Sequence, residues 1–163
     1  MHIFYIQGTS QGCVMYSFEH ELIPNVSITK FHCTSTQLMM KVCEGYETNF
    51  EGNRKTVRKN HNYIQKTPLL LLKDYQLFFP TCSHKEDHCC WVNFYNVSNI
   101  VMTSDYNLFI NFDFKNYYSL SSSSTLIEVP CNRRTLRKQM KRCEQIDKFV
   151  ADKDILFKNH ALN

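Results

Sequence analysis

Two short runs without a polar interruption, Leu69 to Leu72 and Leu77 to Phe79, constrain this chain more than any other stretch. They are separated by Lys73-Asp74-Tyr75 and fenced by Pro68 and Pro80, so the pattern predicts a hairpin of Leu69–Leu72 and Gln76–Phe79 with prolines as outer stops. Strands that are apolar at every position have no face to give to water, and both are expected to lie centrally in a sheet. Just upstream, between Asn53 and Lys66, stand five basic residues, Arg54, Lys55, Arg58, Lys59 and Lys66, and no acid. A cationic surface held on a buried scaffold points to a polyanion partner.

The 163 residues suit one domain with a real core, and 43% hydrophobic with 13% aromatic content excludes a disordered chain. No apolar run reaches 18 residues, and the start M-H-I-F-Y-I-Q-G-T-S lacks a charged leader and a long apolar centre. The expectation is a cytoplasmic protein with no membrane partner. In that compartment the eight cysteines are not expected to pair, and Cys13, Cys33, Cys43, Cys131 and Cys143 read as small core or boundary residues. The four glycines, Gly8, Gly12, Gly45 and Gly52, never approach the spacing of a phosphate-cradling loop, which excludes the common nucleotide-binding classes.

Residues 3–6, 13–18 and 26–32 read as short strands. From Ser35 to Phe50 the apolar positions Leu38, Met39, Val42, Cys43, Tyr46 and Phe50 recur at three and four, predicting a helix that runs into the basic segment, with Gly52 as its terminator. Trp91 to Val101 is expected to continue the sheet, Asn107 to Phe114 to alternate Leu108, Ile110, Phe112 and Phe114 on one face, and Leu126 to Val129 to add a last strand. Ser121–Ser124 reads as a turn or frayed strand. After Pro130, Asn132 is a good N-cap, and Leu136, Met140, Cys143, Ile146 and Val150 form the apolar stripe of a helix to about Leu156. The result is an α+β class: a single domain with a central, mostly antiparallel sheet, a helix near 35–50 and a C-terminal basic helix near 132–156.

The net charge of +4 is modest, but its distribution is not. The segments Asn53–Lys66 and Asn132–Cys143 hold eleven of the nineteen basic residues and no acid, leaving eight basic residues against fifteen acids elsewhere. On the C-terminal helix, Arg133-Arg137-Lys141 and Arg134-Lys138-Arg142 each repeat every four residues and lie on adjacent faces. Cations at a helix N-terminus oppose its dipole and like charges four apart repel, at about 0.2 to 1 kcal/mol per contact. A merely solvated face is normally mixed in sign. Contact with nucleic acid or another polyanion is the leading reading, with a solvated face or an acidic protein partner as alternatives. For Arg54, Lys55, Arg58 and Lys59 the plain alternative is an exposed loop.

The aromatics Phe94, Tyr95, Tyr106, Phe109, Phe112, Phe114, Tyr117 and Tyr118 could form a stacking platform for single strands, but strand alternation makes core packing the better account, with Trp91 a core anchor. Cys82, His84, His88, Cys89 and Cys90 are the one metal-like cluster. Zinc needs four converging ligands, no C-x-x-C pair is present, and adjacent Cys89 and Cys90 point to opposite faces of a strand, so no metal and no other cofactor is expected. No local signature of a nucleophile accompanies any cysteine, and pairs such as Glu19 with Glu21 or Asp152 with Asp154 look like surface charge. An enzyme is not expected.

Several short motifs carry a resemblance: G-N-R-K at Gly52–Lys55, T-P-L-L-L-L at Thr67–Leu72, L-F-F-P-T at Leu77–Thr81, and Cys90-Trp91. Over about residues 40–101 the chain resembles the ComK family of competence transcription factors of Gram-positive bacteria. The resemblance implies a sequence-specific activator without a helix-turn-helix, recognising A·T-rich boxes in double-stranded DNA largely through the minor groove and acting as a homo-oligomer upstream of DNA-uptake genes. Arginine suits the narrow, negative minor groove of A·T-rich DNA and lysine serves as a phosphate point charge. Arg54 and Lys55 match the family's basic positions, whereas Arg58 and Lys59 rest on charge alone. Arg133, Arg134, Arg137, Lys138 and Lys141 complete the expected contact set.

The chain departs from the family in a more cationic basic stretch, in a polar insert with Cys82, His84 and His88, and in stopping early. RNA polymerase and a proteolytic adaptor are the further partners implied. The short stretch Ile155–Asn163, where the family usually extends further, speaks against control through the adaptor. The rival class is a non-DNA regulatory module that docks an acidic protein through its basic helix.

Overall fold

The computed structural model describes residues 1–19, 25–114 and 124–161, with side chains of the last helix described to Lys153. The expectations for Ser121–Ser123, Tyr117, Tyr118 and Glu21 lie outside the described residues. Strands β1 (His2–Thr9), β2 (Gly12–Phe18) and β3 (Val26–Phe31) come first, followed by helices α1 (Ser35–Gly45) and α2 (Phe50–His61). Then come β4 (Leu69–Leu71), β5 (Gln76–Pro80), β6 (Trp91–Asn93), β7 (Val97–Met102), β8 (Leu108–Asp113), β9 (Ser124–Glu128) and α3 (Arg133–Ala161).

Six strands form an antiparallel sheet in the order β3-β2-β1-β6-β5-β4, and three form a second, β7-β8-β9. Both faces of the larger sheet are covered, which is why Leu77, Phe78, Phe79, Trp91 and Val92 are apolar and buried on either side of it. On one face Leu77, Phe79 and Val92 pack with Phe112 of β8 and with Leu136, Cys143 and Ile146 of α3. On the other, Phe78 and Trp91 pack with Leu69, Leu71, Met39 and Cys43 of α1, and Phe50 of α2. Trp91 is fully buried, the core anchor expected of it, and Cys89 and Cys90, which lead into β6, divide between the two faces. In β1 a register shift between Ile3 and Tyr5 inserts Phe4, so that Phe4 and Tyr5 both join the α3-side core.

The alternation of Leu108, Ile110 and Phe112 along β8 is as expected. Four other expectations need correction. First, β4 is not central; it is the edge of its sheet, and Leu72 leaves it to join the exposed turn, where Asp74 and Tyr75 take left-handed φ values of 68° and 51°. Second, Trp91–Val101 does not stay in one sheet. A single 3-10 turn at Phe94–Asn96 moves the chain from the larger sheet to the smaller. A buried polar network holds the switch: Asn93 Nδ2 donates to Gln76 Oε1 and to the Ile3 carbonyl, and Asn96 Nδ2 donates to the Asp113 carbonyl at 3.1 Å. Periodicity is blind to such a turn because both segments are strands.

Third, the helix expected over 35–50 is two helices. Thr34 caps α1 in a reciprocal box with Gln37, and α1 stops at Gly45 as Glu47 turns left-handed at φ 57°. Asn49 then caps α2, its Oδ1 accepting the Gly52 N–H at 2.8 Å, so Gly52 lies in the first turn of a new helix and terminates nothing. The basic residues Arg54 to Lys59 therefore sit on a helix and not on a loop. Fourth, Tyr106 is 82% exposed and takes no part in the aromatic core. The C-terminal helix begins where expected, Asn132 Oδ1 accepting the Thr135 N–H at 2.8 Å, and it runs past 156 to Ala161.

Candidate nucleic-acid interface

The position of α2 is fixed from beneath by Phe50 and Val57, which are buried, and from the side by Asn53. The Asn53 amide donates Nδ2–H to the Leu70 carbonyl at 2.6 Å and accepts the Leu70 N–H on Oδ1 at 3.0 Å. One side chain thus supplies the hydrogen bonds that a further strand would have made, closing the edge of β4 at its centre. On the side of α2 away from Val57, Lys55 and Lys59 stand exposed four residues apart.

The two arginines of α2 are engaged. Arg54 lies over the Phe50 ring at 5.7 Å and donates Nη1–H to Glu51 Oε2 at 2.9 Å, leaving its side chain only 13% exposed. Its cation also acts on His84, whose imidazole is held below its ordinary pKa by burial first, then by Arg54, with Glu51 opposing. Arg58 donates Nε–H to the Tyr63 carbonyl at 3.1 Å.

Tyr63 connects this helix to the other basic segment. Its hydroxyl lies 2.8 Å from Gln145 Oε1 and 3.3 Å from the Arg142 carbonyl, and the Arg142 guanidinium covers its ring at 4.6 Å. Arg142 Nη1 donates to the carbonyls of Gln65 at 2.7 Å and Lys66 at 3.3 Å and to Gln139 Oε1 at 3.2 Å. Gln139, 1% exposed, donates Nε2–H to the carbonyls of Lys66 at 2.8 Å and Pro80 at 2.7 Å. The 62–66 loop is in this way fastened to α3, and the two cationic segments, distant in sequence, meet there.

The structure therefore brings together Arg58, Lys66, Arg134, Lys138 and Arg142 around one loop. Arg133, Arg137 and Lys141 are exposed along the neighbouring row of α3, and Arg54 lies apart from both rows, against Phe50 and Glu51. Lys66 and Arg142 were visible in the sequence as basic residues but not as partners, and no local signal joins Tyr63, Gln65 and Gln139 to them across more than seventy residues.

Residues 20–154 match the family model described as ComK protein. The chain belongs to the ComK family. This is a family of competence transcription factors and not of enzymes, and the match extends well beyond the motifs of residues 40–101 to include both cationic helices. Comparison with curated proteins and with solved structures gives no match.

The remaining candidates carry little. Among the described residues no three His, Cys, Asp or Glu side chains are grouped to hold a metal ion, and His84 packs against the Phe50 ring at 5.8 Å. Burial pushes the thiols up, Cys43 and Cys131 to about 11 and Cys13 to about 12, so they are poor nucleophiles near neutrality. Among the described residues no helix is long and apolar enough to cross a membrane.

Proposed function

We propose that this ComK-family chain is a sequence-specific DNA-binding activator of competence genes, acting in the cytoplasm as a homo-oligomer, with its whole length as one DNA-binding domain. It binds paired A·T-rich boxes in double-stranded DNA largely through the minor groove. Arg54, Lys55, Arg58 and Lys59 of α2 and Arg133, Arg134, Arg137, Lys138 and Lys141 of α3 supply the contacts. RNA polymerase is the further partner of this reading. The observation that carries it is the meeting of two acid-free cationic segments at the 62–66 loop, through Arg58, Tyr63 and Arg142. Phosphate contacts of this kind supply affinity, while groove width and deformability supply preference among sequences.

The test is a fluorescence-anisotropy competition between A·T-rich and G·C-rich duplexes at physiological salt, repeated over a salt series. A preference for the A·T-rich duplex and a steep fall of log affinity with log salt are expected. Flat salt dependence sinks the proposal; no binding to either duplex, with recovery of an acidic protein partner, replaces it with the docking module.

A further inference from the structure

A small cleft of about 210 Å³ opens between the 62–66 loop and the first turns of α3. Lys66, Arg134, Lys138 and Arg142 line it together with Gln65 and Gln139, and none of the described lining residues is acidic. Two cations outside the cleft, Arg54 and Lys73, are instead paired with acids, Glu51 and Glu47. Four positive side chains around one concavity repel each other, and a concave low-dielectric wall strengthens their common field.

The cleft is also built in advance. Arg142 directs Nη1 to three acceptors and sets its guanidinium over the Tyr63 ring at 4.6 Å, which fixes the side chain, while among the described residues Nη2 and Nε make no hydrogen bond. The buried Gln139 amide grips the carbonyls of Lys66 and Pro80 from behind, and Lys66 takes a left-handed φ of 52° to present its backbone to that grip. A guanidinium held in one orientation loses little freedom on meeting a planar or tetrahedral oxyanion.

We infer that this cleft is an oxyanion seat that takes one phosphate group. If the chain binds DNA as proposed above, the phosphate is one of the duplex backbone, and the seat has a positional role. Arg58 and Arg142 both bond to Tyr63, so a phosphate in the cleft fixes α3 and the loop leaving α2 at once and sets the register of α2 on the duplex. If the source is instead a free phosphate-bearing small molecule, the same side chains hold it.

Two measurements test this. Inorganic phosphate is titrated into the 15N-labelled chain at constant ionic strength, with chloride as the control. Saturable amide shifts confined to Lys66, Arg134, Thr135 and Lys138, lost in the R134Q/K138Q double variant, are expected; shifts no larger than those of chloride, or spread equally over all exposed basic residues, overturn the inference. In parallel, anisotropy titrations compare R134Q/K138Q with R133Q/R137Q, which removes the same charge from the neighbouring row. The cleft variant is expected to lose about tenfold in affinity for A·T-rich and G·C-rich duplexes alike and to lower the salt slope by about one, more than the control pair does. Equal losses from both pairs, or a loss confined to the A·T-rich duplex, refute a phosphate seat. Saturable phosphate binding with no affinity of the unaltered chain for any duplex supports the seat with a free ligand, and leaves the DNA-binding reading refuted on its own terms.

Discussion

The two basic helices place their cations in opposite ways. In α2 the charges sit where a helix favours them: Glu51 in the first turn, Arg58, Lys59 and His61 in the last. In α3 no acid occupies the first turn, which opens with Arg133 and Arg134 and continues with Arg137, Lys138, Lys141 and Arg142. Helix electrostatics explains the placement of charge in α2 without any partner. It opposes the placement in α3, where the arrangement costs stability in the isolated chain, a cost that a bound anion would offset. Positive charge alone is therefore a weak marker of an interface, and positive charge set against the helix dipole is a stronger one.

The largest effect expected is at the anchor of the α3 side. Gln139→Leu removes the donor to the carbonyls of Lys66 and Pro80, and a loss of about 3 kcal/mol is expected from the denaturation midpoint, with the slope unchanged. On the α2 side, Asn53→Ala uncovers both backbone groups of Leu70. About 2 kcal/mol should be lost, and the bared edge of β4 should promote self-association detectable by light scattering.

Smaller effects separate the helices directly. Arg133→Glu puts an acid at the start of α3 and should raise thermal stability by about 0.5 kcal/mol, whereas Lys59→Glu at the end of α2 should lower it by a similar amount. DNA affinity should fall in both, so the opposite signs in stability break the comparison if they are not observed. Glu51→Gln leaves stability within about 0.5 kcal/mol, since the Glu51 side of the pair is open to solvent and such pairs contribute little. By releasing Arg54 it makes α2 as free of acid as the start of α3, and it should tighten binding to an A·T-rich duplex.

The smallest effect is read by NMR titration of His84. Its folded pKa lies below the ordinary value of 6.5, so the neutral ring is favoured by the fold; the associated stability is present above pH 6.5 and is lost as pH falls through the lowered value. Arg54→Gln should move the His84 pKa up and Glu51→Gln should move it further down, because the first removes a neighbouring cation and the second an anion.

The hairpin of β4 and β5, the alternation of β8, the N-cap at Asn132 and the apolar stripe of α3 were all legible, because each depends on spacing within a few residues. The boundary between α1 and α2 was not. Phe50 fits the three-and-four rhythm of α1 while belonging to α2, and the left-handed φ of Glu47, which breaks the helix, falls on a residue without glycine's signal. Cationic rows could be read as rows, but the pairing of Arg54 with Glu51 and the capture of Arg142 by the 62–66 loop could not. The first depends on which of several nearby acids a side chain meets, the second on a contact 77 residues apart.

By itself, then, the sequence determined the class of fold and the two places where positive charge accumulates, since hydrophobic period and charge density are local properties of a chain. Its short motifs also determined the family. The tertiary structure alone decided that β4 is an edge closed by Asn53, that the strand after Trp91 changes sheets, and that Lys66, Arg134, Lys138 and Arg142 share one cleft. Those are outcomes of packing the described sheets and helices onto one another, where distant residues are set side by side by buried area and hydrogen-bond satisfaction and not by their order along the chain.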